Sequence, residues 1–237
     1  MTGRNLAIAA GAAGLLAGAG AVLLARGGGD GLVGGERAQV EATVRDYILA
    51  NPEIIPEAMK RLQDRQLGKA VADNRQAFET PFGSAWAGAE NADVVLVEFY
   101  DYACGYCRKT VSDLERLLAE DDGLKVVWRE LPVLGPDSEA AAMVSLAAAR
   151  QGKFKAFHNR LFAAGRPSAE AVGAARAAAG VAPSEAPDFR TEIERNYELA
   201  RLIGATGTPT FVVGDKVLQG AVGYDALKQA IADARGG

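Results

Sequence analysis

Apolar residues between positions 36 and 80 recur at the spacing of helical faces. In residues 36–50 they lie at i, i+4, i+7 and i+8, namely Val40, Val44, Tyr47 and Ile48. Asn51 and Pro52 are typical of the N-cap and first position of a second helix. Its apolar stripe consists of Ile54, Ile55, Met59, Leu62, Leu67, Val71 and Phe78. The pattern predicts two helices, the second running to about residue 79.

So short a helical pair needs a partner surface, because segments of about 40 to 60 residues rarely bury a core alone. The stripe either packs on the body of the same chain or assembles with copies from other chains. A long helix with a continuous stripe and no tight turn back favours an interchain seam. We therefore expect residues 36–80 to form an oligomerisation arm and the protein to be a homo-oligomer.

From residue 84 the pattern changes to strands that alternate with helices. The run VVLVEFY at 94–100 predicts a buried strand, and LKVVWR at 124–129 predicts another, with two cysteines and an amphipathic helix between them. This order is a βαβ unit with a parallel pair. An Ala-rich helical block at about 137–203 follows. Two short strands, at 210–213 and 216–219, and a last helix complete one α/β domain over residues 84–237.

The twenty residues from Leu6 to Ala25 carry no charge. A cleaved signal peptide has an apolar stretch of about 7 to 15 residues, whereas about 20 are needed to span a bilayer. Because Arg26 is a poor cleavage context, we interpret residues 1–30 as a signal peptide or membrane anchor, with the anchor slightly favoured. Arg4 and the terminal amine predict a cytoplasmic N-terminus and an exported remainder.

Composition excludes several functional classes. The chain has 237 residues, 49% of them hydrophobic, and a formal net charge of −4, which provides no basic patch for a nucleic acid. Two cysteines and one histidine cannot build a multi-bridge disulfide scaffold or a four-ligand structural zinc site. We therefore predict a globular protein with no nucleic-acid partner and no metal site.

The two cysteines form the motif Cys104-Gly-Tyr-Cys107 between the first strand and the helix that it opens. Backbone N–H groups and the dipole at a helix N-terminus favour a thiolate, so Cys104 is predicted to be the nucleophile. Cys107, one turn further on, can form a disulfide with it and resolve a mixed disulfide. The alternatives are a structural disulfide, whose short loop would add little stability, and half of a metal site, which lacks two ligands. A CxxC in a βαβ pattern favours the redox pair, which needs no cofactor beyond its own disulfide.

Four other residue types carry weaker signals. Thr208-Pro209 precedes the third predicted strand, and the proline either initiates that strand or follows a cis bond. His158 lies among phenylalanines in the helical block, which favours a packed helix residue over a catalytic one. Trp86 and Trp128 are interpreted as core residues.

Residues 84–237 resemble the DsbA-like thiol oxidoreductases of the thioredoxin superfamily. The resemblance rests on VEFYDYACGYC, LPVLGPDSEAA, GKFKAFHNRLF and GTPTFVV. It implies a thioredoxin fold with an inserted helical subdomain, preceded here by the N-terminal segment and the helical arm. It also implies a periplasmic location, with the protein held at the inner membrane if residues 6–25 are retained.

The same resemblance implies roles for particular residues. Around the cysteines, the site would comprise Cys104, Cys107, Thr208, Pro209, Gly105 and Tyr106, with Thr208-Pro209 as a cis-proline loop that binds the substrate backbone. Glu98 matches the family's buried acid, which moves a proton to or from Cys107. The alternative for Glu98 is an outward-facing strand residue.

Three activities remain open. Strongly oxidising members carry Pro-His between the cysteines, and Gly-Tyr lacks that cation, so the couple should be less oxidising. CGYC with Thr-Pro is similar to disulfide isomerases of the DsbC type, and a helical arm before a DsbA-like domain resembles ScsC proteins, a family tied to trimerisation, isomerase activity and copper tolerance. We therefore expect a disulfide isomerase of exported client proteins, served by a membrane redox partner. A dithiol oxidase and a Cu(I)-binding thiol carrier are the alternatives.

Overall fold

A computed structural model describes residues 34–184 and 186–236. The predicted signal or anchor segment, residues 1–30, lies outside the described residues. Within the described ranges no helix is long and apolar enough to cross a bilayer. The chain divides into two compact units, the first ending at Met59 and the second comprising Lys60–Gly237.

The secondary structure follows the predicted order with one added strand. The helices are α1 Gly34–Ala50, α2 Ile54–Asp73, α3 Arg75–Glu79, α4 Gly105–Glu120, α5 Pro136–Arg150, α6 Phe154–Ala164, α7 Ala169–Ala178, α8 Pro187–Leu202 and α9 Tyr224–Gly236. The strands are β1 Trp86–Gly88, β2 Val94–Tyr100, β3 Leu124–Glu130, β4 Thr210–Val213 and β5 Lys216–Gln219. The inserted helical block thus comprises α5 to α8.

The second unit is built on a five-stranded sheet with the order β1-β3-β2-β4-β5. The β2–β3 pair is parallel, as a βαβ unit requires, and the other pairs are antiparallel. β2 therefore lies at the centre, with Glu98 opposite Trp128 on one side and Phe211 on the other. The cysteine motif follows directly at the end of this central strand.

Both faces of the sheet are covered by apolar side chains. Leu96, Tyr100 and Trp128 belong to the larger cluster, which also contains residues of α4, α9 and the helical block. Val97, Phe99, Val127 and Val212 belong to the other, together with residues of α2, α3 and α8. Successive side chains of a strand point to opposite faces, so β2 supplies both clusters by alternation.

The helix predicted to run from residue 51 to 79 is interrupted. It begins at Ile54, and the side-chain amide of Asn51 donates to the carbonyl of Tyr47 at 2.9 Å. Asn51 therefore binds the end of α1 and does not cap the start of α2, which corrects its predicted N-cap role. A second break separates α2 from α3 at Asn74, whose carbonyl accepts the N–H groups of Ala77 and Phe78.

The last part of the predicted arm, residues 60–80, belongs to the second unit. Val71 and Phe78 are 1% and 0% exposed and pack in the smaller core cluster. The buried guanidinium of Arg129 on β3 donates to three carbonyls that follow α2, those of Ala77, Phe78 and Thr80. The apolar stripe therefore packs on the body of its own chain at this end. In the first unit, large apolar side chains remain exposed: Val40, Val44, Tyr47, Leu49, Ile55 and Met59.

Candidate active site

The two cysteines lie where the central strand passes into α4. Cys104 is the N-cap residue of that helix, and its Sγ accepts the backbone N–H of Cys107 at 3.4 Å. Both thiols are free, with Cys104 6% exposed and Cys107 1% exposed. The predicted order, with Cys107 as the less exposed sulfur, is confirmed.

The loop before β4 brings Thr208 to the reactive sulfur. The Thr208–Pro209 peptide bond is cis, so the sharper of the two predictions for this proline is confirmed. The Sγ of Cys104 lies 3.3 Å from the carbonyl oxygen of Thr208. Between the cysteines, the side chain of Tyr106 is 62% exposed. The cysteine segment and the Thr208–Pro209 loop thus come together although they are about 100 residues apart in sequence.

The surroundings of Cys104 favour its thiolate. A hydrogen bond from the Cys107 thiol is the largest cause that lowers the pKa of Cys104, to about 5 from 9.0. The Thr208 side chain and the backbone amides of Tyr106 and Cys107 act in the same direction, while burial opposes them. Donors at a helix N-terminus stabilise negative charge in this way. These surroundings therefore favour the thiolate form of Cys104 at neutral pH.

Cys107 has the opposite character. Burial raises its pKa well above the ordinary value, and its hydrogen bond to Cys104 and the nearby charge of Glu98 act in the same direction. Glu98 is itself 2% exposed, on the same face of β2 as Tyr100, so the outward-facing alternative is excluded. Burial raises the pKa of Glu98 from 4.5 to about 8, and the Thr110 hydroxyl opposes this shift.

Thr110 is a site residue that the sequence reasoning missed. Its buried hydroxyl lies 2.7 Å from Oε1 of Glu98 and 2.8 Å from the carbonyl oxygen of Cys107. When Glu98 is protonated, its carboxyl can donate to Thr110, which then donates to Cys107. Thr110 therefore links the buried acid to the helical turn that carries the second cysteine. The sequence did contain a signal for Thr110: it follows Cys107 by three residues, a spacing that places both on the inner face of α4.

A buried polar network lies beside the site. Its hydrogen bonds are Tyr100 hydroxyl to Glu130 at 3.1 Å, Ser145 hydroxyl to Glu130 at 2.8 Å, Tyr102 to Ser145 at 2.9 Å, and Tyr102 to Nδ1 of His158 at 3.3 Å. His158 is 1% exposed and packs against aromatic rings, as predicted for a structural histidine. Burial lowers its pKa well below the ordinary value. The network anchors Tyr102, two residues before Cys104, to β3 and the helical block.

Comparison with known proteins finds two family models that match this chain. Residues 95–232 match the DSBA-like thioredoxin domain family. The chain belongs to that family. Residues 36–66 also match the N-terminal domain of the copper resistance protein ScsC.

Solved structures and curated relatives extend the likeness. A Proteus mirabilis ScsC linker-deletion mutant is 30% identical, with a TM-score of 0.70 over 87% of this chain and 98% of that one. A thioredoxin-like oxidoreductase from Silicibacter pomeroyi is 35% identical, with a TM-score of 0.66 over 69% of this DSBA-like chain and 99% of its own. A Na(+)/H(+) antiporter NhaA 1 of Salinispora arenicola is 30% identical over 63% of this chain. The chain spans only 24% of that antiporter's length.

Proposed function

We propose that this protein is a thiol:disulfide oxidoreductase that acts on exported, cysteine-containing proteins, mainly as a disulfide isomerase. The observation that carries the proposal is the difference between two sulfurs in one site. Cys104 has a lowered pKa and faces the Thr208–Pro209 loop, whereas Cys107 is buried and keeps its proton. Such a pair provides one nucleophile and one resolving thiol.

The reaction steps follow from the difference between the two cysteines. The Cys104 thiolate attacks one sulfur of a client disulfide, so that the client S–S bond breaks, a mixed disulfide forms and the other client sulfur leaves as a thiolate. In isomerisation, a second client thiolate attacks the client sulfur of the mixed disulfide and releases Cys104, with no net change in oxidation state. Otherwise Cys107 loses its proton, attacks Sγ of Cys104 and releases a reduced client, which leaves the protein oxidised.

Glu98 exchanges a proton with Cys107. It accepts the proton when Cys107 attacks the mixed disulfide and donates it when Cys107 leaves in the reverse reaction. With a pKa of about 8, Glu98 is mostly protonated at pH 7. This state donates a proton to Cys107 when a client thiolate attacks the Cys104–Cys107 disulfide and Cys107 leaves. That reaction oxidises the client. The protonated acid is therefore the observation that favours a dithiol oxidase as the second candidate.

The N-terminal arm supports the isomerase. Val40, Val44, Tyr47, Ile55 and Met59 are 46% to 67% exposed. Burying each such side chain against another copy is worth roughly 1.5 to 3 kcal/mol. Several active sites held around one client raise the effective concentration of thiol, which promotes repeated attack on wrong disulfides. We further propose a periplasmic location and a membrane redox partner that keeps the cysteines reduced.

Refolding of scrambled ribonuclease by residues 31–237 tests this function. We expect isomerase activity in the reduced protein and none in Cys104→Ser. Replacing Val40, Val44 and Ile55 together with serine should leave the rate of reaction with small disulfides unchanged. The same variant should be a monomer by light scattering and should have lower refolding activity. A reduction potential of about −180 to −230 mV fits an isomerase, whereas a value of about −120 mV indicates an oxidase. If the wild-type protein is monomeric at tens of micromolar, the isomerase proposal fails and the dithiol oxidase becomes the favoured function.

A further inference from the structure

The loop between α8 and β4, residues 203–209, places Thr208 against the reactive sulfur. The Sγ of Cys104 lies 3.3 Å from the carbonyl oxygen of Thr208. The loop contains no helix or strand of its own, and Gly204 and Gly207 add conformational freedom to its backbone. The position of Thr208 beside Cys104 therefore depends on contacts that hold the loop from outside.

The side chain of Gln219, at the end of the edge strand β5, supplies three such contacts. Its Nε2 donates to the carbonyl of Gly204 at 3.2 Å, and its Oε1 accepts the N–H of Thr206 at 3.4 Å. Oε1 also lies 3.0 Å from the hydroxyl of Thr210, the residue that pairs with Gln219 across β4 and β5. Both polar atoms of the amide are thus satisfied, and they hold the chain on both sides of Thr208.

The backbone next to Gln219 adds a fourth contact. The N–H of Gly220 donates to the carbonyl of Pro209 at 2.8 Å. This bond does not involve the side chain at position 219. A variant without the amide therefore frees the backbone before Thr208, while Pro209 stays bound to the end of β5.

Exposure separates the position of the loop from the stability of the fold. Gln219, Gly204 and Thr206 are exposed, so the carbonyl and the N–H released by loss of the amide can bind water at little cost. The buried hydroxyl of Thr210 keeps a second acceptor, the carbonyl of Gly207, at 2.8 Å. The Gln219 amide therefore contributes more to where the loop lies than to whether the protein folds.

We propose that Gln219 is a positioning residue whose amide sets the place of Thr208 beside Sγ of Cys104 by fixing the backbone before Thr208. The inference rests on the proposed function where a client takes part, because a client cysteine bonded to Sγ must pass the Thr208 carbonyl 3.3 Å away. A displaced Thr208 also changes the surroundings of the thiolate, since the Thr208 side chain is among the groups that lower the pKa of Cys104.

Two measurements on Gln219→Met test this role, because methionine keeps the length of glutamine and removes both polar atoms of its amide. The rate of Cys104 alkylation by iodoacetamide, measured against pH in the reduced protein, should have its midpoint raised by at least about 0.5 pH unit. With a cysteine peptide in mixed disulfide with glutathione, KM should rise at least about threefold at pH 7. The corresponding kcat should stay within about twofold, since the thiolate still predominates at that pH.

Gln229→Met is the matched control. Gln229 is also an exposed glutamine whose amide is bound, but its Nε2 donates to Asp233 on its own helix, α9. This variant should have the wild-type alkylation midpoint and the wild-type KM. Both variants should melt within about 3 °C of the wild-type protein, because each change is made at the surface.

Three outcomes would count against these proposals, and they can be told apart. A wild-type alkylation midpoint in Gln219→Met would overturn the positioning role. A melting temperature lowered by more than about 3 °C, together with a lower kcat and an unchanged KM, would show that Gln219 stabilises the fold instead. A wild-type protein that does not react with the peptide would contradict the proposed oxidoreductase function, while the alkylation profiles would still decide the role of Gln219.

Discussion

Replacing Glu98 with glutamine should change how the stability of this protein depends on pH. Burial raises the pKa of Glu98 from 4.5 to about 8. Between these values the folded protein keeps a proton that the unfolded chain releases. The free energy of unfolding of the wild-type protein therefore contains a contribution that falls as pH rises through this window and levels off above about pH 8. Glu98→Gln removes that contribution.

The size of the effect follows from the pKa shift. Each pKa unit is worth about 1.4 kcal/mol, so a rise from 4.5 to about 8 corresponds to about 5 kcal/mol. Burial also raises the pKa of Glu130 to about 7, which has the same sign. Cys104 has the opposite sign, because its lowered pKa adds stability as pH rises from about 5 to 9. These two groups are present in both proteins, so the difference between the proteins isolates Glu98.

Urea denaturation of the reduced proteins at a series of pH values from 5 to 9 measures this difference. Relative to wild type, Glu98→Gln should gain roughly 3 to 5 kcal/mol of unfolding free energy across the series. Glu194→Gln, at an exposed position on α8, is the control and should follow the wild-type curve. A difference between Glu98→Gln and wild type that stays constant within about 0.5 kcal/mol would refute a buried neutral carboxyl at this position.

Three further predictions concern the cysteines and the boundary between the two units. Cys107→Ser should accumulate mixed disulfides with clients and Cys104→Ser should not, as judged on non-reducing gels; equal trapping by both would reverse or remove the assigned roles. The alkylation rate of Cys104 should have its midpoint near pH 5 rather than near the ordinary thiol value. Residues 60–237 should fold as a stable monomer, whereas residues 84–237 should melt at a lower temperature, because they lack Phe78 and the carbonyls that bind Arg129; equal melting temperatures would contradict this.

Much of the fold follows from short-range patterns. The apolar runs of β2 and β4 predict strands whose bounds the structure reproduces, because all but one of their residues, Val95, are buried. β1 could not be predicted, since three residues show no periodicity and the strand exists through its pairing with β3. The break at Asn74 was missed for a related reason, because the apolar spacing continues through it to Phe78.

Site residues could be predicted where a sequence motif or a resemblance to a known family pointed to them, as for Cys104, Cys107 and Glu98. Thr110 could have been found from helical spacing after Cys107. The contacts of Gln219 are different, because two of them join it to a backbone N–H and a backbone carbonyl, 13 and 15 positions earlier, that have no sequence signature. The same holds for Tyr102 and His158, 56 positions apart, which meet only when the helical block closes on the sheet.

The burial of the single histidine, His158, changes which side chains titrate near neutral pH. Histidine is ordinarily the side chain whose charge changes near neutral pH, yet His158 stays uncharged there because its pKa is well below the usual value. Glu98 and Glu130, in the core, take up protons near neutrality instead. On mild acidification these two carboxyls add to the free energy of unfolding, whereas the Cys104 thiolate and the buried, uncharged His158, whose pKa values are lowered, subtract from it. The pH dependence of stability near neutrality is therefore divided between two buried acids on one side and the buried histidine and the Cys104 thiol on the other.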